Sequence, residues 1–192
     1  EGITEAGSIS SFIAAGTSYS THGVLAIPVF IFYSMFGLQR IGDFVWAAAD
    51  ARAKGFMLGG TAGRTTLAGE GLQHQDGQSH ILALPVPSLK AYDPAFAYEL
   101  AVIMKNGMKR MYKNGEDLMY YITVMNEKYL MPDMPRQNGI EEAILKGMYK
   151  YREATKNKHN VNLLGSGAIM NEVIKAARIL KQKYNTEADI WS

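Results

Sequence analysis

The sequence predicts an α/β fold: a mostly parallel sheet with helices on both faces, followed by the start of a second α/β domain. Three observations carry this reading. Short runs rich in β-branched and aromatic residues alternate with segments of helical period along the chain. The runs are nearly continuous in apolar residues rather than alternating, as strands covered on both faces are. The last residues, 161–192, read as strand, helix, strand, the unit from which parallel sheets are built.

Taken in order, residues 4–20 form a helix of small residues suited to close packing. Leu25 to Phe32 is an apolar run whose length suits a strand buried on both faces. Residues 37–54 carry Ile41, Val45, Ala48, Ala49 and Arg52 at helical spacing, with Gly55 as the stop. Phe56–Gly60 is a short buried strand, a polar glycine-rich loop fills 61–80, and Ile81 to Val86 is a third strand. Asp93 caps the next helix with Pro94 at its first position, and Ala97, Leu100, Ala101, Met104, Met108 and Met111 form its stripe. Met119 to Val124 is a fourth strand. Helix resumes over 139–150, and the polar, basic segment 152–160 reads as a linker. Val161–Leu164, the tight turn Gly165-Ser166-Gly167, an amphipathic helix to Tyr184 and a strand at 188–191 complete the chain.

Composition narrows the function classes. The 192 residues are 47% hydrophobic and 20% charged, ordinary for a globular protein with a real core. There is no cysteine, which excludes disulfides, thiolate zinc sites and cysteine nucleophiles and is compatible with the cytoplasm, the expected location. The net charge of +2 and the scattered Lys and Arg give no nucleic-acid surface. The longest apolar stretch, Val24 to Leu38, is interrupted by Pro28 and Ser34 and falls short of the roughly 20 residues of a membrane helix. Glu1 in first place, and a strand with nothing after it at Ala188–Ser192, read as the ends of an internal piece of a longer chain.

The densest chemistry lies in residues 59–80, where six glycines, Glu70, Asp76, His74 and His80 follow a buried strand. Ligands bind at that end of an open parallel sheet; a solvated surface loop is the competing reading. His74, Asp76 and His80 lack a third strong metal ligand, so no metal site is assigned. Glu5 in the first turn of its helix has a plain account in the helix dipole, and Tyr33 and Phe36, three apart, fit a core as well as a ligand pocket.

Read together, several stretches resemble one family over nearly the whole chain. Gly2–Gly7, Phe32–Asp43, Gly63–His74, Tyr92–Ala95 and Leu163–Gly167 look like the homodimeric-type pyruvate dehydrogenase decarboxylating component, a thiamine-diphosphate enzyme of the transketolase-like superfamily. The resemblance implies a partial pyrimidine-binding domain over 1–150, a linker over 151–160 and the start of a carboxy-terminal domain from 161 to 192. It implies oxidative decarboxylation of pyruvate with acetyl transfer to the lipoyl groups of dihydrolipoyl acetyltransferase, in a homodimer. The cofactors implied are thiamine diphosphate and Mg2+, held between two subunits and mainly through regions outside this sequence, since the family's Gly-Asp-Gly motif does not occur in it.

By position in the matching stretches, Glu5 corresponds to the glutamate that hydrogen-bonds a pyrimidine nitrogen and promotes proton removal from the thiazolium carbon. A desolvated carboxyl, with a raised pKa, would suit that role. Phe36 corresponds to the aromatic that stacks on the pyrimidine and Tyr33 to a neighbour in the same pocket. His74 and Glu70 correspond to positions near the reacting carbon, and Ala68 beside them departs from the asparagine of relatives. Two alternatives stay open: a non-catalytic fragment or folding module of that enzyme, and another transketolase-like enzyme. The run Gly69–His74 speaks against the latter.

Overall fold

The computed structural model describes residues 4–60, 71–155 and 160–192. The chain falls into two compact units, Glu1–Asp93 with Lys105–Asn126, and Pro94–Met104 with Glu127–Ser192.

In the first unit, α1 (Glu5–Gly16) is opened by Thr4, whose hydroxyl accepts from the Gly7 N–H, and is followed by the short α2 (Ser18–Thr21). Strand β1 (Val29–Tyr33) runs straight into α3 (Ser34–Asp50), which kinks at Ile41, next to Gly42. Strand β2 (Gly55–Gly60), α4 (Ser79–Ala83), β3 (Leu89–Tyr92) and β4 (Met119–Val124) complete the unit. The sheet has order β1-β2-β4-β3 and all its pairings are parallel, with Val29 opposite Phe56 and Gly55 opposite Met119.

Alternation of side chains sorts the core. Phe30, Phe32, Met57, Met119 and Tyr121 point to one face, where Ile9 and Phe12 of α1 and Leu38, Ile41, Val45 and Ala48 of α3 cover them. On the other face Phe56 and Tyr120 meet Gly107, where an added Cβ would lie 2.8 Å from the Phe56 ring. That glycine lies in α5 (Ala97–Met108), which gives residues 97–104 to the second unit and 105–108 to the first. A π-helical turn, Lys109–Lys113, then buries Met111. Helices thus cover both faces of a parallel sheet, as the sequence predicts. Lys54, buried at the end of the α3–β2 turn, donates from Nζ to the carbonyls of Met111 (3.3 Å) and Gly115 (2.7 Å).

In the second unit, α6 (Ile140–Lys146) ends at Gly147, whose φ of 93° favours glycine. Strand β5 (Lys150–Arg152), β6 (Asn160–Leu164), α7 (Ile169–Tyr184) and β7 (Glu187–Trp191) follow. The sheet order is β5-β7-β6, with β6 and β7 parallel and β5 antiparallel to β7. Met170 and Ala177 of α7 pack with Ala188 and Ile190 of β7 and with Ala95 and Phe96. Glu99, 5% exposed, accepts from the Ala95 N–H (2.6 Å), the Tyr149 hydroxyl (2.5 Å) and the Ser192 hydroxyl (2.8 Å).

Four local expectations need correction. Ile81–Val86 is not a strand: Asp76 caps backbone N–H groups at Gln78 and Ser79, which starts α4. The third strand is instead Leu89–Tyr92. Leu25–Phe32 is not buried on both faces; β1 starts at Val29 as an edge strand and leaves Val29, Ile31 and Tyr33 exposed. Asp93 does not cap α5, because its carboxylate takes the Thr123 hydroxyl at 2.5 Å and the helix begins at Ala97. Helix over 139–150 shortens to α6, stopped by the left-handed Gly147.

Candidate functional site

The carboxyl-terminal ends of β1 and β2 lead into the residues singled out above. Because β1 passes without a break into α3, Tyr33 sits at the last position of the strand and Phe36 in the first turn of the helix. Glu5 stands in the first turn of α1. His74 closes a single 3₁₀ turn, Leu72–His74, in which its N–H reaches the Gly71 carbonyl at 3.1 Å.

Three of these residues meet, and Arg40 links the fourth to them. The His74 ring packs edge-on against Phe36 (centroids 5.0 Å, interplanar angle 89°) and against Tyr33 (5.4 Å, 66°). His74 Nδ1 is buried and has no hydrogen-bond partner among the described residues. Arg40 joins Glu5 to this group: its Nη1 donates to Glu5 Oε1 at 2.5 Å, and its guanidinium lies 4.9 Å from the Phe36 ring centroid. Arg40 follows Phe36 by four residues on one helix, the spacing that places two side chains on one face. That spacing was visible in the sequence and is the signal that could have found it.

The electrostatics of Glu5 differ from expectation. Its carboxyl is held below the ordinary carboxylate range by a backbone N–H and then by the Arg40 hydrogen bond, which outweigh desolvation by burial. The burial-raised value expected of it does not occur, because the backbone hydrogen bond and then Arg40 stabilise the charged form of a side chain that is 19% exposed. The cluster as it stands holds a carboxylate, two aromatic rings and an imidazole whose buried Nδ1 has no partner among the described residues.

Asp76 anchors the segment after His74. It is 1% exposed; Oδ1 accepts from the N–H groups of Gln78 (3.1 Å) and Ser79 (3.0 Å), and Oδ2 from the Ser79 hydroxyl (2.6 Å). Residues 76–79 are therefore not the solvated surface loop that composition alone allowed. His80 Nε2 pairs with the Tyr92 carbonyl at 3.0 Å, which commits it to the fold. No group of three His, Cys, Asp or Glu among the described residues is placed to hold a metal ion. Glu70 and Ala68 lie outside the described residues. Among the described residues no helix is long and apolar enough to cross a membrane.

Comparison with known proteins places this geometry in context. Residues 1–132 match the family model described as the pyruvate dehydrogenase E1 component middle domain. The chain is 58% identical to the pyruvate dehydrogenase E1 components of Cupriavidus necator and Pseudomonas aeruginosa, in each case over all of its own length. It is 54% identical to that of Escherichia coli K12. It spans only 21% of the Cupriavidus protein and 22% of the other two. Among solved structures it is similar in fold to a transketolase of Pichia stipitis (TM-score 0.64, 15% identity, 85% of this chain and 22% of that one). It is likewise similar to a transketolase of Campylobacter jejuni (TM-score 0.60, 16% identity, 94% of this chain and 26% of that one). With more than half of its residues matched by that family model, and high identity along its full length, the chain belongs to the pyruvate dehydrogenase E1 component family.

Proposed function

We propose that this chain supplies the pyrimidine-facing part of a thiamine-diphosphate site in a pyruvate dehydrogenase E1 component. That enzyme decarboxylates pyruvate oxidatively and passes the acetyl group to lipoyl groups on an acyltransferase partner, as a cytoplasmic homodimer that also uses Mg2+. One observation carries the reading: Glu5, Tyr33, Phe36 and His74, which come from three separate stretches of sequence, join into one cluster.

The cluster fits the pyrimidine end of the cofactor. A carboxylate can hold a ring nitrogen, an aromatic face can stack, and a buried imidazole nitrogen lacks a partner among the described residues. No metal ligand set accompanies it among the described residues, so Mg2+ and the diphosphate are assigned to other parts of the dimer. Thiamine diphosphate, when bound, supplies the nucleophilic carbon and the electron sink that loss of carbon dioxide requires. Glu5 holds or accepts a proton at its carboxylate, and Phe36 and Tyr33 form the apolar wall. Phe36, whose ring centroid lies 4.9 Å from the Arg40 guanidinium, would hold a stacked aromatic ring. His74, with Nδ1 free, orients substrate or moves a proton near the reacting carbon during acetyl transfer. Glu70 is assigned the same neighbourhood from its place in the matching stretch.

The test is Glu5→Ala in the full-length dimer, with cofactor affinity measured apart from turnover. Loss of the proton relay lowers turnover with pyruvate by about 10²–10⁴-fold. Near-normal turnover at saturating thiamine diphosphate refutes the assignment.

A further inference from the structure

We infer that Asp76 is a positioning residue for His74: its buried carboxylate fixes the backbone that seats the imidazole against Tyr33 and Phe36. The inference rests on the role given to His74 above and adds a residue to it.

His74 Nδ1 has no partner among the described residues, and the ring is held by two edge-on aromatic contacts at 5.0 and 5.4 Å. The backbone that follows the ring is anchored at Asp76. Both carboxylate oxygens are used, Oδ1 by two N–H groups and Oδ2 by the Ser79 hydroxyl. The Ser79 oxygen in turn accepts from the Tyr121 hydroxyl at 2.8 Å. Tyr121, fully buried on β4, is stacked on Phe32 with the rings 4° from parallel, so the anchor ends in the sheet itself. Space for its hydroxyl exists because residue 59 is glycine; a Cβ there would lie 2.5 Å from it. On the other side the Gln78 amide donates to Met35 Sδ at 2.9 Å, beside Phe36. The segment 74–79 is thus tied both to β4 and to the start of α3, with Asp76 between the ties.

Among the described residues, removing the carboxylate leaves at least the Gln78 and Ser79 N–H groups and the Ser79 hydroxyl without this acceptor, and the imidazole two residues away loses its seat. A displacement of about an ångström at a catalytic group can cost up to about a hundredfold in rate.

The experiment is a double-mutant cycle in the full-length homodimer, with Asp76→Ala, His74→Ala and both together. It reads kcat for acetyl transfer to lipoyl at saturating cofactor and, separately, the Kd for thiamine diphosphate. Expected is a loss of about tenfold in kcat for Asp76→Ala with Kd within about twofold. In the His74→Ala background the same change adds less than about twofold, because its effect passes through the imidazole. Asp76→Asn, which keeps an oxygen for the two N–H groups, loses about threefold and carries the cycle if the alanine variant does not fold. An equal loss in both backgrounds overturns the inference while leaving the reading of His74 intact. Weakened cofactor binding with normal kcat overturns it as well. Normal kcat in His74→Ala alone overturns the reading of the site, and the inference with it.

Discussion

Gly37 lies in the first turn of α3, one residue after Phe36 and directly over the Phe32 ring of β1. A Cβ built on it would sit 1.9 Å from Phe32 Cδ2 and 2.3 Å from Cε2. Ordinary contact begins near 3.4 Å, so the ring or the helix must yield by 3.4 − 1.9, or about 1.5 Å. The ring cannot easily give way, since it is 7% exposed, packed against Phe30 at 4.9 Å and stacked on Tyr121 at 5.9 Å. Gly37→Ala therefore lifts the start of α3. Overpacking of this kind costs about 1–3 kcal/mol, and alanine returns up to about 1 kcal/mol through its helix propensity. A net loss of about 2 kcal/mol lowers the melting temperature by about 4–8 °C in a chain of this size. The lift also moves Phe36 relative to His74, so thiamine diphosphate affinity falls along with stability. Thermal unfolding followed by near-ultraviolet circular dichroism, with a cofactor titration of the full-length dimer, measures both. A variant as stable as the wild type, with unchanged affinity, refutes the packing argument.

Two further outcomes follow from single contacts. Burial pushes the Asp76 carboxyl up, but hydrogen bonds from the Ser79 side chain and backbone and from the Gln78 N–H outweigh it and hold the group below its ordinary 3.8. A depressed carboxylate stabilises in full above its unfolded pKa, and that contribution is lost as pH falls through the folded value. The urea midpoints of wild type and Asp76→Asn should therefore differ by a constant amount around neutral pH and converge below about 3.8; a gap that persists in acid counts against the carboxylate as the cause. Lys54→Met keeps the apolar stem but leaves the Met111 and Gly115 carbonyls without their donor, at a cost of about 1–3 kcal/mol in urea unfolding. An unchanged midpoint would contradict that.

Much of the fold was legible because its central strands are long in apolar residues and its last helix is strongly periodic. β2, β4, α7 and β7 stand close to where pattern alone puts them. The failures share a cause: an apolar run carries no mark of which face is covered. Ile81–Val86 has the composition of a strand, and only the hydrogen bonds of Asp76 to Ser79, three residues on, make part of it helical. Leu25–Phe32 reads as a strand buried on both faces, yet β1 is an edge that leaves Val29, Ile31 and Tyr33 exposed. Asp93 has the form of a helix cap but is taken by Thr123 from β4, a partner thirty residues away. At the site, resemblance named Glu5, Tyr33, Phe36 and His74, and the structure brings them together. Arg40 and Asp76 escaped notice in those roles because their importance lies in long-range pairing, with Glu5 across 35 positions and, through Ser79, with Tyr121 across 42.

The closure of Glu99 has a consequence for synthesis on the ribosome. Its carboxylate is buried only when Tyr149 and Ser192 have arrived, and the second lies 93 positions later in the chain. Until then the group is a solvated charge, and taking it out of water alone is strongly unfavourable. The stretch Pro94–Met104 must therefore wait undocked while β4 and everything after it are translated, for about 5–20 s at ordinary elongation rates. Over that interval Phe96, which ends 3% exposed, is open to other chains. A nascent chain arrested shortly before Ser192 should thus present this segment to chaperones and proteases, whereas one extended past it withdraws the segment from both.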